Sequence, residues 1–369
     1  MSNQKNRLGI GQNSLKKALN PARLALSVFL FGGVITPSYA TINCAGFLPS
    51  SYFERIKNNP PFMGKLVEQA NGRQQLTDLN GNVVIDNLHN AYILMDKYVL
   101  AQKNGKYGVV NAAGKIIVPF KYDDIQTEPD IYTSFIVSVG SSEGNNKQGI
   151  INRHGGWVYP LADVGIQHAH YDADYDQDYF LVTNNFATNA KGLTGLLDDR
   201  GYWAVMPQYE VINPLNPCTG QPLYLQVGLQ NKTALIDQNN KVIIPFSVNQ
   251  HIESFNNNVS PLLFLRSRLS DGFASSNAIV MSEDIQENIV SAQIINANGN
   301  AVLASEAPIR KLLYHQLYTY KQAEKFGLIN DRGDVILKPE FDGYRDDADT
   351  VWLEKNGKMF GLNTLIKSD

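Results

Sequence analysis

Apolar residues in this chain come in pairs and short runs that stop at an Asn or Asp and resume a few residues later. The clearest copy is Lys103 to Ile125, KNGKYGVVNAAGKIIVPFKYDDI. Val109-Val110 lead into Asn111, Gly114 follows, and Ile116-Ile117-Val118 run up to Pro119. An aromatic-acidic tail, Tyr122 to Asp124, closes the stretch. Short β-branched runs punctuated by Gly, Pro and Asn predict strands and tight turns rather than helices. Aligned on the Asn or Asp before the turn, copies sit at Asp78, Asn111, Asn152, Asp198, Asp237, Asn296, Asn330 and Asn363. The spacings are 33, 41, 46, 39, 59, 34 and 33 residues, which a short unit with insertions of variable length explains.

Each position in the unit has a mechanical reading. The Asn or Asp side chain can accept backbone amides inside the turn. Gly three residues later (Gly81, Gly114, Gly155, Gly201, Gly299, Gly333) supplies a positive φ, and Asn240 takes that slot once. The return strand is expected to end at proline (Pro119, Pro160, Pro207, Pro245, Pro339), which has no N–H for a ladder. A second glycine (Gly108, Gly149, Gly195, Gly327, Gly361) lies inside a strand. It is expected where a backbone or an aromatic ring packs over the position. Ala234 occupies that slot once. The tails Tyr122-Asp123-Asp124, Tyr209-Glu210 and Phe341-Asp342 lead to a further strand, such as Phe135-Ile136-Val137 or Tyr179 to Val182.

This grammar resembles the WG repeat, a bacterial β-repeat named for its aromatic-Gly pair. The resemblance runs from about Arg73 to the C-terminus and is carried best by two units. In one these are Tyr107, Gly108, Asn111, Gly114, Pro119 and Tyr122; in the other Phe326, Gly327, Asn330, Gly333 and Pro339. Gly149 with Asn152, and Gly195 with Asp198, carry it in between. No unit has Trp before the Gly; Tyr107, Gln148, Thr194, Thr233, Phe326 and Phe360 stand there. The resemblance implies a repeat array and brings no shared activity with it.

The first 40 residues differ in kind. Residues 1–23 carry five Lys or Arg and no acid; Leu24 to Ile35 are largely apolar; Ser38-Tyr39-Ala40 offers small residues at −3 and −1. That order reads as a signal peptide cleaved near Ala40, placing the mature chain in the periplasm or outside a bacterial cell. The membrane is then met only through this segment. Residues 41–72 are read as a small N-terminal helical cap, with short helices over Ser51 to Lys57 and Phe62 to Gln69. Residues 73–369 form the array, with an insertion at about 247–290 whose Ser267 to Glu287 part is polar and loop-like. The fold class is all-β: tandem hairpin repeats in an open twisted solenoid-like array, or alternatively a closed propeller.

Composition narrows the function classes. The formal net charge of −3 gives no footprint for nucleic acid. Two cysteines do not build a disulfide scaffold. Cys44 and Cys218 either tie the cap to the middle of the array or stay as thiols. No Ser/His/Asp grouping, phosphate loop or dinucleotide fingerprint stands out, so neither a catalytic site nor a cofactor is expected. The most unusual polar stretch is His168 to Asp178. If extended, it lines up His168, His170, Asp172, Asp174, Asp176 and Asp178 on one face, a set able to take a metal; the alternative is a solvated edge. The leading expectation is a non-enzymatic binding or scaffold protein of the bacterial envelope with a protein partner, one version being an immunity protein that neutralises a toxin. Glycan or cell-wall binding through exposed tyrosines is a second reading. A metal-dependent enzyme using His168, His170 and Asp172 is a third.

Overall fold

The computed structural model describes residues 64–369 apart from 95–97, 112, 127–132, 141–145, 173, 185–191, 216–221, 257–260, 272–284, 286, 314–315, 348 and 367–369. Residues 1–63, with the leader, Cys44 and the Ser51 to Lys57 helix, lie outside that set, as does Cys218.

The described chain folds as eight antiparallel meanders in which strands pair in chain order. Sheet one is Gly64–Glu68, Gln74–Asp78 and the start of Val83–Leu94. That long strand passes Asn87 and Asn90, both at positive φ, and continues into sheet two with Tyr98–Lys103, Lys106–Asn111 and Ile116–Tyr122. Sheet three is Asp124–Gln126, Ser134–Val139, Lys147–Asn152 and Trp157–Ala162. Sheet four is Val164–Asp172, Gln177–Asn184, Thr194–Asp198 and Trp203–Tyr209. Sheet five is Val211–Pro214, Tyr224–Leu229, Lys232–Asp237 and Val242–Ser247. Sheet six is Gln250–Ser254, Leu263–Leu269, Ile289–Asn296 and Ala301–Ser305. Sheet seven is Arg310–Lys311, Tyr318–Gln322, Lys325–Ile329 and Val335–Phe341. Sheet eight is Gly343–Asp347, Thr350–Lys355 and Lys358–Gly361, followed by a helical turn, Leu362–Leu365.

Sheets two to seven each pack against a neighbour on both faces, so middle strands such as Ser134–Val139 carry consecutive buried residues rather than an alternation. Phe135 and Val137 face sheet two while Ile136 faces sheet four. Seven apolar clusters result, each seated between two consecutive sheets. Among the described residues none of them joins the first sheet to the last. An aromatic pair marks most junctions, such as Tyr122 with Trp157, Tyr159 with Trp203, Tyr224 with Phe264 and Phe326 with Tyr344. Fully burying one such Val, Ile or Phe contributes about 1.5–3 kcal/mol, and only a neighbouring sheet can supply that burial.

The turn chemistry repeats seven times. The side-chain oxygen of Asn111 accepts the N–H groups of Ala113 and Lys115, two and four residues on. The same pair of bonds forms at Asp78, Asn152, Asp198, Asp237, Asn296 and Asn330. The residue three places on has φ between +64° and +89° in every copy. Without the side-chain acceptor these turn amides would have to bond water instead, and the turn would lose the contact that fixes it.

Three expectations are corrected. First, the part of Phe62 to Gln69 that is described is a strand, Gly64–Glu68, paired with Gln74–Asp78. Hairpin pairing through a turn at Gly72 overrides local helix propensity, and among the described residues strand pairing already starts at Gly64. Second, the prolines do not end the return strands. Ile116–Tyr122 runs through Pro119, and Val335–Phe341 through Pro339. Tyr107 pairs with Tyr122 but Val109 with Val118, so two extra residues bulge out around Pro119. A bulge on an outer strand is where a missing N–H costs nothing. Third, 247–290 is not one insertion. It holds the first two strands of sheet six, and the extra length falls between Leu263–Leu269 and Ile289–Asn296.

Two-residue turns at the opposite end of the meanders put both residues at positive φ: Asn104-Gly105, Gln230-Asn231, Ala323-Glu324 and Asn356-Gly357. Ala323 and Glu324 are strained there, since such turns favour Asn-Gly. Glu324→Gly is expected to raise stability by about 1 kcal/mol, read from a urea midpoint. Its ion pair with Lys321 is exposed and offers little to lose.

Candidate functional site

The polar residues that the sequence singles out come together at the junction of sheets three and four, though not as a metal site. The strand Val164–Asp172 bulges between His168 and His170, so the extended alternation fails at Ala169. A turn at Asp174, Tyr175 and Asp176 breaks it again. The carboxylates then take separate tasks. Asp172 accepts the N–H groups of Asp174 and Tyr175 within that turn. Asp176 accepts the Tyr171 hydroxyl at 2.6 Å and pairs with Arg153 of sheet three at 3.0 Å. His170 is buried. Among the described residues no group of three His, Cys, Asp or Glu is placed to hold a metal.

Asp178 is the hub of the junction and is fully buried. Its Oδ2 accepts the Thr133 N–H at 2.6 Å and the Thr133 hydroxyl at 2.7 Å. Its Oδ1 lies 2.8 Å from His168 Nε2, and its backbone carbonyl accepts the Asp199 N–H. Asp198 next to it caps its own turn and holds Gln177 and Arg200. Nucleophile activation needs a hydroxyl facing the imidazole with the carboxylate behind. Here the carboxylate stands between Thr133 and His168. The arrangement therefore binds Thr133 of sheet three to the hairpin of sheet four.

Burial raises the Asp199 carboxyl above its usual range, against a lowering from the Thr133 side chain. A carboxyl raised in the folded state holds its proton longer folded than unfolded, so stability falls as pH rises through that folded value. Asp199→Asn is expected to be more stable than the parent at neutral pH, and the gap in melting temperature to close as pH drops towards the carboxylate's unfolded range. Equal gaps at both ends of the titration would refute this.

Sequence reasoning missed Thr133, Asp199 and the fasteners between units. Lys106 pairs with Asp123, and Lys325 pairs with Asp342. These bonds to lysine lower both carboxyls. The other oxygens of the same acids accept the N–H groups of Gly140 and Asn356 in the following sheets. The doubled acid Asp198-Asp199 before Arg200-Gly201 was the one sequence signal near the hub, since no other unit has two acids there.

The strand tyrosines do not form an exposed row. Tyr122, Tyr171, Tyr179, Tyr209 and Tyr320 are buried, and the open rings of Tyr175 and Tyr202 sit on two neighbouring turns of sheet four.

The two fastener-bearing units coincide with the family evidence. The model of the WG containing repeat matches residues 107–127 and 326–358. The chain carries WG repeats over these two stretches. The remaining units share the turn bonds of the matched WG repeats although their sequences drift, because Asp198, Asp237 and Asn296 keep the acceptor. A WG-repeat array fits a binding or scaffold role at a coarse level. No curated protein matches the chain in sequence. Among solved structures it aligns with a putative TolB from Agrobacterium tumefaciens at 10% identity and TM-score 0.28, over 61% of this chain and 84% of that one. It also aligns with the β-propeller domain of the Trilobed protease from Pyrococcus furiosus at 9% identity and TM-score 0.27, over 81% and 92%. A third is the uncharacterized protein lmo1340 from Listeria monocytogenes EGD-e, at 13% identity and TM-score 0.26, over 74% and 94%.

Proposed function

We propose that this WG-repeat chain is a non-enzymatic, exported binding protein of the bacterial envelope that engages a protein partner along the outer strands of its sheets. One observation carries the reading. The residue five places after each turn Asn or Asp opens the last strand of its sheet: Val83, Ile116, Trp157, Trp203, Val242, Ala301 and Val335. Four of these apolar side chains on free sheet edges, Ile116, Trp157, Val242 and Val335, are about half exposed, at 51%, 47%, 47% and 47%. Apolar side chains repeated on an open edge are a liability unless something covers them. A toxin neutralised by this chain is one version of such a partner, and the basic, apolar and small-residue order of residues 1–40 supports export.

A photo-crosslinking residue placed at 116 or at 242 tests the reading in cells. A discrete protein adduct from both positions, absent when the probe replaces Lys232, exposed on an inner strand, is the expected result. No adduct, or the same adducts from position 232, would overturn it. Recovery of the chain with residues 1–40 still attached would remove the exported part.

A further inference from the structure

A cleft of about 670 Å3 opens beside sheet six, within the size range of small-ligand sites. Its floor carries Arg266 and Arg268, two residues apart on Leu263–Leu269 and hence on one face. Cross-strand pairing sets Gln293 beside Arg266, and Gln250 and Ser291 beside Arg268. Every one of these neighbours is polar and uncharged. Among the described residues neither guanidinium meets a carboxylate within ion-pair distance.

The site is built rather than incidental. Gln250 is 3% exposed. Its amide nitrogen donates to the carbonyls of Thr233 and Pro245 in sheet five, which fixes the orientation of its oxygen. That oxygen accepts Arg266 Nε at 2.7 Å. One edge of the guanidinium is thereby held, on a residue that lines the cleft. Ordinary surface arginines are not aimed by a buried amide bridging two sheets. Glu306 on the lining is the single acid, leaving the cleft with an excess of one positive charge. Asp271 is engaged nearby with the Asn249 amide and does not line the cleft.

We infer that Arg266 and Arg268 form a binding site for a small organic carboxylate of sugar-acid or peptide-terminus size. The guanidinium fork matches a carboxylate with two parallel hydrogen bonds. Gln293 and Ser291 offer amide and hydroxyl groups to a polar body. The Glu306 charge disfavours a dianion, which separates a carboxylate from a phosphate. The inference is independent of the partner proposed for the outer strands.

Calorimetry and amide chemical shifts on the whole mature chain test it, with glucuronate and acetyl-dialanine as carboxylates and inorganic phosphate as the competing anion. At least one carboxylate is expected to bind more tightly than phosphate and to shift amides around Gln250 and Gln293. Arg268→Gln, at an exposed position, is expected to weaken it at least tenfold while the melting temperature stays put. Arg266→Lys, which keeps the charge and loses the fork, is expected to weaken it as well. Binding of neither carboxylate, preference for phosphate, or unchanged affinity in Arg268→Gln would each overturn the assignment.

Discussion

Gly195→Ala is expected to cost about 3 kcal/mol of unfolding free energy, the upper end of what overpacking usually does. A Cβ at Gly195 would stand 2.6 Å from the Val205 carbonyl oxygen, 2.7 Å from Pro207 N and 2.9 Å from the Met206 carbonyl carbon. All three atoms are backbone, on the bulge that Pro207 makes in the outer strand of sheet four. A side chain can turn away from an intruding methyl; a backbone arch paired to its neighbour cannot without breaking its hydrogen bonds. Gly361→Ala is the control, because its nearest neighbour is the Trp352 ring at an ordinary 3.6 Å. That variant is expected to stay within about 0.5 kcal/mol of the parent. Trp203 pairs opposite Leu197, two residues from the substitution, so urea unfolding followed by tryptophan fluorescence reads the affected sheet. Equal midpoints for the two variants would refute the account. The fifth sheet already places a fully buried Ala234 in this slot, which shows that the requirement belongs to the individual bulge and not to the repeat as such.

What could be read from sequence was whatever a single unit decides for itself. The turn at Asn111, the positive φ of Gly114 and the crowded Gly108, where a Cβ would meet the Phe120 ring at 2.7 Å, all follow from residues within a dozen positions. Errors entered where pairing partners decide. Leu66 and Val67 look as helical as they look extended until Leu76 and Gln75 are set across from them. Pro119 looks like a stop until the bulge shows that its nitrogen faces no acceptor in the ladder. His168 and His170 share a face only in an unbulged strand. The cleft was hidden for the same reason. Arg266 and Arg268 sit in a segment of ordinary composition, and their setting depends on Gln250 reaching carbonyls of the previous sheet.

Asp178→Ala is expected to be among the most damaging single substitutions in the chain, at about 3–5 kcal/mol, the range for removing one partner of a buried charged contact. The side chain is 0% exposed and serves sheets three and four together. Its removal leaves the Thr133 N–H and hydroxyl, and His168 Nε2, facing a cavity where each unsatisfied buried group costs about 1–3 kcal/mol. Thr133 lies 45 residues away in sequence, which is why no local pattern announced the contact. Asp178→Asn separates charge from shape. An amide oxygen can still accept from Thr133, while its NH2 must face His168, so a smaller loss than for alanine is expected. Thr133→Val removes only the hydroxyl, and the pair Thr133→Val with Asp178→Ala should cost less than the two losses added, because both delete the same bond. Additive losses would mean that the two residues do not act through each other, and that sheets three and four are held by their shared apolar cluster of Ile136, Ile150, Phe180 and Val182 and by the Arg153–Asp176 ion pair. A non-additive result would instead identify Asp178 as a buried polar tie added to the apolar packing of sheets three and four, unlike the half-exposed Lys106–Asp123 and Lys325–Asp342 ties at other junctions.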